Sequence, residues 1–329
     1  MSFLQGQGEQ IPGLGSIGFV CGSSRRVAGL ARLLRWSVGD VAVSDSIAGI
    51  GDWSQHDMVV VHYDALAPAE QTELMENQRA LARPPTLLLL SEREAERDLA
   101  KLFGARVLTN MLVINETGFD VADLLVTVQK MRRGEIFGLE KYFAWGVEPR
   151  SIQITSSIEK ASVLDAISDY VAELSVPSRL SGSIRAVADE FLANAIYNAP
   201  VDECGLPRFA SRSRTVPVFL GQDESIEVRF CCDGRRFGVS TTDPFGSLVP
   251  ARMLDSLAKA YRRGDDQISE EMGGAGLGFY QILVCLSHFV VNIEPGVRTE
   301  MIGLVDVRGD YRTFASAGKS FNVFTRGQR

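Results

Sequence analysis

Residues 189–199 read DEFLANAIYNA, and residues 273–278 read GGAGLG. Taken as a helix, the first stretch repeats Glu190, Asn194 and Asn198 every fourth residue on one face and turns Val187, Phe191, Leu192 and Ala195 toward another. One face packs and the other coordinates. Mg²⁺ takes oxygen ligands, commonly one or two from protein and the rest from water and substrate phosphates, so the Asn194 amide beside the Glu190 carboxylate suits it. Gly274, Gly276 and Gly278 alternate just before an apolar helical pattern, which would expose backbone N–H groups at its positive end, where phosphates bind. Together the two stretches suggest a site for ATP with Mg²⁺.

The bulk composition is compatible with that. At 329 residues and 45% hydrophobic content, the chain is long enough for about two globular domains. A net charge of −7 and a pI near 5.2 argue against nucleic acid as the main partner, because phosphate neutralisation needs clustered Lys and Arg. No apolar run approaches the ~18 residues of a membrane span. The longest, PTLLLL (85–90) and ILVCL (282–286), fall far short. The Gly- and Gln-rich start, residues 1–14, lacks a basic, apolar leader and reads as a flexible lead-in, with cytoplasm as the default compartment. Five cysteines without a C-x-x-C pair predict reduced thiols, with neither zinc nor disulfides.

From 15 to 132, short apolar runs alternate with helical patterns, the sign of a parallel sheet flanked by helices. Strands are predicted at SIGFVCG (16–22), VAVSD (41–45), DMVVVHY (57–63), TLLLLSE (86–92) and ARVLTN (105–110), with a last helix over 119–133. This (βα)5 pattern resembles the receiver domain of bacterial response regulators. The resemblance calls for two acids after strand one, an Asp ending strand three and a Lys after strand five. Here those positions read Cys21-Gly22-Ser23, His62 and Asn110, with Asp64 two residues late. The segment is therefore expected to be a pseudo-receiver, a docking or dimerisation module, with a generic α/β domain as the other reading. Whether Asp64 accepts a phosphoryl group is left open. Residues 133–150 read as a helical linker.

The second half has another order. A short strand and helix (153–175) precede a helix over 181–199 ended by Pro200. Two apolar runs flank Asp233-Gly234, a strong hairpin signal. Then come a helical 250–263, the glycine cluster, a helix over 278–289, and strands VVNIEP and TEMIGLVDV, with 313–329 as a tail.

This order, with its motifs, resembles the GHKL superfamily, the ATP-binding fold of gyrase, histidine kinases and anti-sigma-factor kinases, over about 151–312. The resemblance implies that Asn194, with Glu190 beside it, holds Mg²⁺, and that Glu190 orients or deprotonates the attacking hydroxyl or water. Asn198 would belong to the same box. In Asp243-Pro244-Phe245-Gly246, the Asp243 carboxylate would accept from the adenine amino group and Gly246 would let backbone approach the purine. Gly274, Gly276 and Gly278 would hold the phosphates, and Thr299 would lie near the adenine pocket. The chain is thus read as α/β: an N-terminal receiver-like (βα)5 doubly wound parallel sheet plus a C-terminal GHKL (Bergerat) α/β sandwich.

Each motif alone has a plainer reading, since E-x-x-x-N is commonly a solvated face and D-x-x-G commonly a turn. Order and spacing make the case, with a lid over 250–272 between the second and third boxes. Lys259, Arg262 and Arg263 in that lid could reach a γ-phosphate, although ordinary surface charge explains each. His288 reads as a core or edge histidine on an apolar helix. AGKS (317–320) lacks the first P-loop glycine and a following helix. Between 133 and 190 there is no histidine, which excludes autophosphorylation on a helix just before the ATP domain. The two-helix lead into the first box resembles the anti-sigma-factor serine/threonine kinases. That implies transfer of the ATP γ-phosphate to Ser or Thr of a regulatory protein, a STAS-type antagonist or sigma factor being the partner class, and a possible homodimer. The alternatives are a scaffold that binds ATP without turnover and a histidine-kinase-like ATPase lacking its own phosphoacceptor His.

Overall fold

The computed structural model describes residues 16–22, 25–80, 86–91, 99–104, 109–114, 120–263 and 277–327. The fold is α/β. It comprises two compact units, Met1–Leu88 and Leu89–Arg329, so the division falls inside β4 (Thr86–Ser91) rather than at the expected 132–133.

In the first unit, β1 (Ile17–Val20) lies between β2 (Val41–Ser44) and β3 (Met58–His62), parallel to both. Every residue of β1 and β3 is buried, as parallel strands covered on both faces must be. Parallel pairing needs a crossover, supplied between β1 and β2 by α1 (Arg25–Val38). Its Leu30, Leu34 and Val38 recur at helical spacing and are buried. A second helix, α2 (Pro68–Ala80), follows β3.

The second unit is built on a mixed sheet of order β5-β11-β9-β10-β8-β7-β6. These strands are β5 (Asn110–Ile114), β6 (Arg150–Ile154), β7 (Ile226–Cys232), β8 (Arg236–Asp243), β9 (His288–Glu294), β10 (Arg298–Asp306) and β11 (Ser320–Thr325). Neighbours from β9 to β6 are antiparallel; β11 runs parallel to β9 and antiparallel to β5. The two-residue side-chain period then sorts β10. Thr299, Met301 and Gly303 share one face, while Glu300, Ile302 and Leu304 share the other.

Three helices cover the first face: α4 (Lys160–Glu173), α5 (Ser178–Ala193) and, after α6 (Pro250–Arg263), α7 (Leu277–Val284). They pack closely. A Cβ at Gly303 would stand 2.9 Å from the Leu286 side chain and 3.3 Å from that of Val187, and the Phe191 and Phe289 rings lie 5.8 Å apart. The opposite face is covered by α3 (Val121–Arg133) and the segment after it, where Ile136, Leu139 and Tyr142 join Val290, Ile302, Leu304 and Phe324 in one apolar cluster.

Several sequence expectations are corrected here. Residues 133–150 are no helical linker. Gly134, at φ 70°, ends α3, and the chain then lies flat on the sheet, with Phe143 so close that a Cβ at Gly238 would stand 2.5 Å from its ring. The expected tail, 313–329, contains the end of α8 (Tyr311–Ser316) and the interior strand β11. The fifth strand of the first half starts at Asn110 and belongs to the second unit's sheet, antiparallel to β11. His288 opens β9 instead of lying on a helix. The expected flexible start, 1–14, lies outside the described residues. Among those described, no helix is long and apolar enough to cross a membrane.

Candidate functional site

The helix carrying the first box begins at Ser178 and keeps α geometry through Ala193, burying Val187, Phe191 and Leu192. Its last five residues, Asn194–Asn198, are π-helical, closed by Ala199 N–H donating to the Asn194 carbonyl at 2.8 Å. Such wide turns gather at functional sites. Here the turn brings Asn198 Nδ2 to donate to Asn194 Oδ1 at 2.8 Å. That bond fixes which way the Asn194 oxygen faces and leaves its second lone pair available. Both residues and Glu190 are half-buried. Asp189 is held elsewhere by Lys160, 2.9 Å away.

Glu190 meets the third box directly. Gly278 lies in the first turn of α7, where a Cβ would stand 2.7 Å from Glu190 Oε2. Only the missing side chain lets the carboxylate rest there. Gly274 and Gly276 lie outside the described residues, so of the three alternating glycines the structure places one.

The second box ends β8. Asp243, 4% exposed, faces Thr299, its register partner on β10, which is 1% exposed. Burial pushes the Asp243 carboxyl up to about 7, against the opposing pull of the Phe245, Gly246 and Thr299 backbone N–H groups. The Phe245 N–H donates to Oδ1 at 3.0 Å. Thr299 Oγ1 and, two residues back along the same face of β8, Thr241 Oγ1 are buried without a hydrogen-bond partner. Orphaned buried hydroxyls are uncommon in native folds. A carboxylate and two idle hydroxyls on one face suit a ligand that brings donors and acceptors of its own.

Gly246 serves a purpose the sequence did not disclose. It adopts φ +58°, and a Cβ there would stand 2.6 Å from the Val297 nitrogen in the β9–β10 turn. The close backbone approach it permits is to that turn, whose Gly296 N–H donates to the Gly246 carbonyl at 3.1 Å. Ser247, not singled out by sequence reading, donates to the Ala199 carbonyl at 2.7 Å and staples this loop to the end of the π-helical turn. Arg214, also unforeseen, stacks 3.9 Å from the ring centre of Tyr197, the residue just before Asn198. No motif signals either contact, because each joins residues far apart in the chain, Ser247 to Ala199 and Arg214 to Tyr197.

The lid is described as far as Arg263. Met253, Leu254, Leu257 and Ala260 of α6 are buried, so this part is a packed helix. Lys259 is exposed. The Arg262 guanidinium reaches Gly104, where a Cβ would stand 2.8 Å from Nη2. Nothing is described of the Arg263 side chain.

In the first unit, His62 ends β3 with its side chain 7% exposed, and Asp64 lies in the following turn. Burial pushes the His62 imidazole below its usual value, although Asp64 opposes this. The end of β1 offers Cys21 and Gly22 in place of carboxylates.

Among the described residues, no group of three or more His, Cys, Asp or Glu side chains could hold a metal. Neither a protein-family model nor a curated protein matches this chain.

Proposed function

We propose that the second unit is an ATP-binding domain of the GHKL type, preceded by a receiver-like module without receiver chemistry, and that it transfers the γ-phosphate to Ser or Thr of a partner protein. The observation that carries this reading is the pairing of a buried, N–H-bonded Asp243 carboxylate with the idle Thr299 hydroxyl, in the same unit as Glu190 resting on Gly278.

The residues suit their roles. Asp243 would accept from the adenine amino group, a donor that guanine lacks at that position. The Asn194 amide oxygen, oriented by Asn198, would give Mg²⁺ one ligand, with Glu190 close by and the remainder from phosphates and water. Bound Mg²⁺ would supply charge neutralisation on the phosphates. Glu190 would hold or accept the proton of the incoming hydroxyl, and a positioned base contributes roughly 10²–10⁴-fold. Gly274 and Gly276 keep their expected phosphate-binding roles within this proposal. The partner class that fits is a regulatory protein of the STAS-antagonist or sigma-factor kind.

The test is γ-labelled ATP incubated with the full chain and with Glu190→Ala. Labelled phosphate released or transferred by the wild type and lost in the variant supports the enzyme. The absence of carboxylates after β1 favours a second reading, a scaffold that uses ATP only as a ligand. Bound ATP that stays unhydrolysed in the wild type would select it.

A further inference from the structure

On the sheet face away from Asp243 and Thr299, a cleft of about 280 Å³ lies along α3 and the segment that follows it. Leu125 and Val126 form an apolar wall, and Lys130, Arg133 and Lys141 line the cleft beside one carboxylate residue, Glu135. Three cations against one acid give it an anionic preference. Its size lies near the ~300 Å³ lower bound for small-molecule pockets, room for a charged head and a short apolar body.

Lys130 is the unusual member. It is 2% exposed, yet its hydrogen bond is a long one, 3.4 Å, to the neutral Asn292 Oδ1. Aromatic rings supply the rest of its surroundings, with Tyr142 at 4.5 Å and Phe324 at 5.1 Å from their centres. The nearby Glu300 carboxylate is satisfied by others, taking hydrogen bonds from the Gly138 N–H at 2.9 Å and Asn292 Nδ2 at 2.8 Å. Asn292 therefore stands between the two charges, accepting from one and donating to the other. Burial costs this cation more than the nearby Glu300 carboxylate, not directly bonded to it, returns, and so pushes the Lys130 amine down to about 7. An anion in the cleft would offset that cost; Arg133 and Lys141 share the lining, where Lys141 Nζ donates to the Glu135 carbonyl at 2.6 Å.

The geometry points to a second ligand site: this cleft binds a small organic anion, a phosphomonoester or carboxylate with a short apolar tail, and Lys130 on its inner wall is the group that senses occupancy. The assignment is independent of the nucleotide reading.

Butyl phosphate is the probe, titrated calorimetrically into the full chain beside inorganic phosphate and butanol, up to about 10 mM, where millimolar affinity is readable. Butyl phosphate is expected to bind more tightly than inorganic phosphate, and butanol not at all. Lys130→Met and Arg133→Ala should each weaken binding tenfold or more, whereas Arg32→Ala, in the first unit, should leave it unchanged. Circular dichroism checks that Lys130→Met folds, and the exposed Arg133 provides a test that does not depend on it. No binding of butyl phosphate, or binding indifferent to both variants, would overturn the assignment. So would binding lost in Asn194→Ala but kept in Arg133→Ala, because the phosphate would then be read by the candidate nucleotide site.

Discussion

Asp243 is buried to 4% exposure and its carboxyl is pushed up to about 7, so at neutral pH the fold holds an acid close to its midpoint. Between the unfolded value near 4 and the folded value near 7, the folded chain binds the extra proton. Stability from this group is thus full below pH 4 and declines as pH rises through 7, by roughly 4 kcal/mol at most. Denaturant unfolding at pH 5 and pH 8 should show the wild type losing stability relative to Asp243→Asn, and parallel curves would remove the effect. Ligand binding should have the opposite sign. A donor such as the adenine amino group favours the ionised carboxylate, so ATP affinity is expected to rise between pH 5.5 and 7.5, and a flat profile would count against that contact. Gly278 gives a second test at this scale. Because the neighbouring atom is the movable tip of Glu190, Gly278→Ala should change stability by less than about 1 kcal/mol. It should nevertheless displace the carboxylate and reduce labelled-phosphate release tenfold or more. Unchanged release would separate Glu190 from the chemistry.

At the level of elements, α3 is fastened to β8 by ions. Arg236 takes Asp123 in a bidentate pair at 2.7 and 2.9 Å and Asp120 at 2.8 Å, while His288 Nδ1 stands 3.5 Å from Asp123. Although burial alone would raise the Asp123 carboxyl, His288 and Arg236 hold it down at about 2. Removing one partner of such a pair strands the other, so Arg236→Met should cost about 3–5 kcal/mol. The Arg236→Met/Asp123→Leu double variant should recover most of that in denaturant unfolding, and equal losses in both would contradict the pairing. None of this was legible in the sequence, where Asp123 and Arg236 are ordinary charges far apart in the chain. Strands β1, β3 and β4 were legible because uninterrupted apolar runs signal buried strands, and the β7–β8 turn because Gly234 adopts φ +82°, which Asp233-Gly234 advertises. Strand β11 was not. SFNVFT has a strand's composition, but only its partners β9 and β5 give it a place, and a run so near the C-terminus reads as a tail. Deleting 313–329 should therefore abolish cooperative unfolding of the second unit, measured by circular dichroism, where loss of a mere tail would change little.

For the whole molecule, the site was legible to the extent that its groups lie in short motifs. Glu190, Asn194, Asp243 and Thr299 were named in advance, and the fold sets Asp243 opposite Thr299 and Glu190 against Gly278. The π-helical turn, the Ser247 staple and the Arg214–Tyr197 stack leave no mark on the hydrophobic periodicity: the first is a local widening of one helix, and the other two join residues distant in the chain. In the first unit, burial holds the His62 imidazole below its usual value against the pull of Asp64, and Cys21 and Gly22 follow β1. In the proposed function, the second unit binds ATP through Asp243 and, with Mg²⁺, through Asn194. Calorimetric titration of the full chain with ATP, with and without Mg²⁺, beside Asp243→Asn and Asn194→Ala, tests it most directly. The expected result is binding strengthened by Mg²⁺, with the Mg²⁺ effect lost in Asn194→Ala and binding lost in Asp243→Asn; no heat of binding, or binding indifferent to both substitutions, would contradict it.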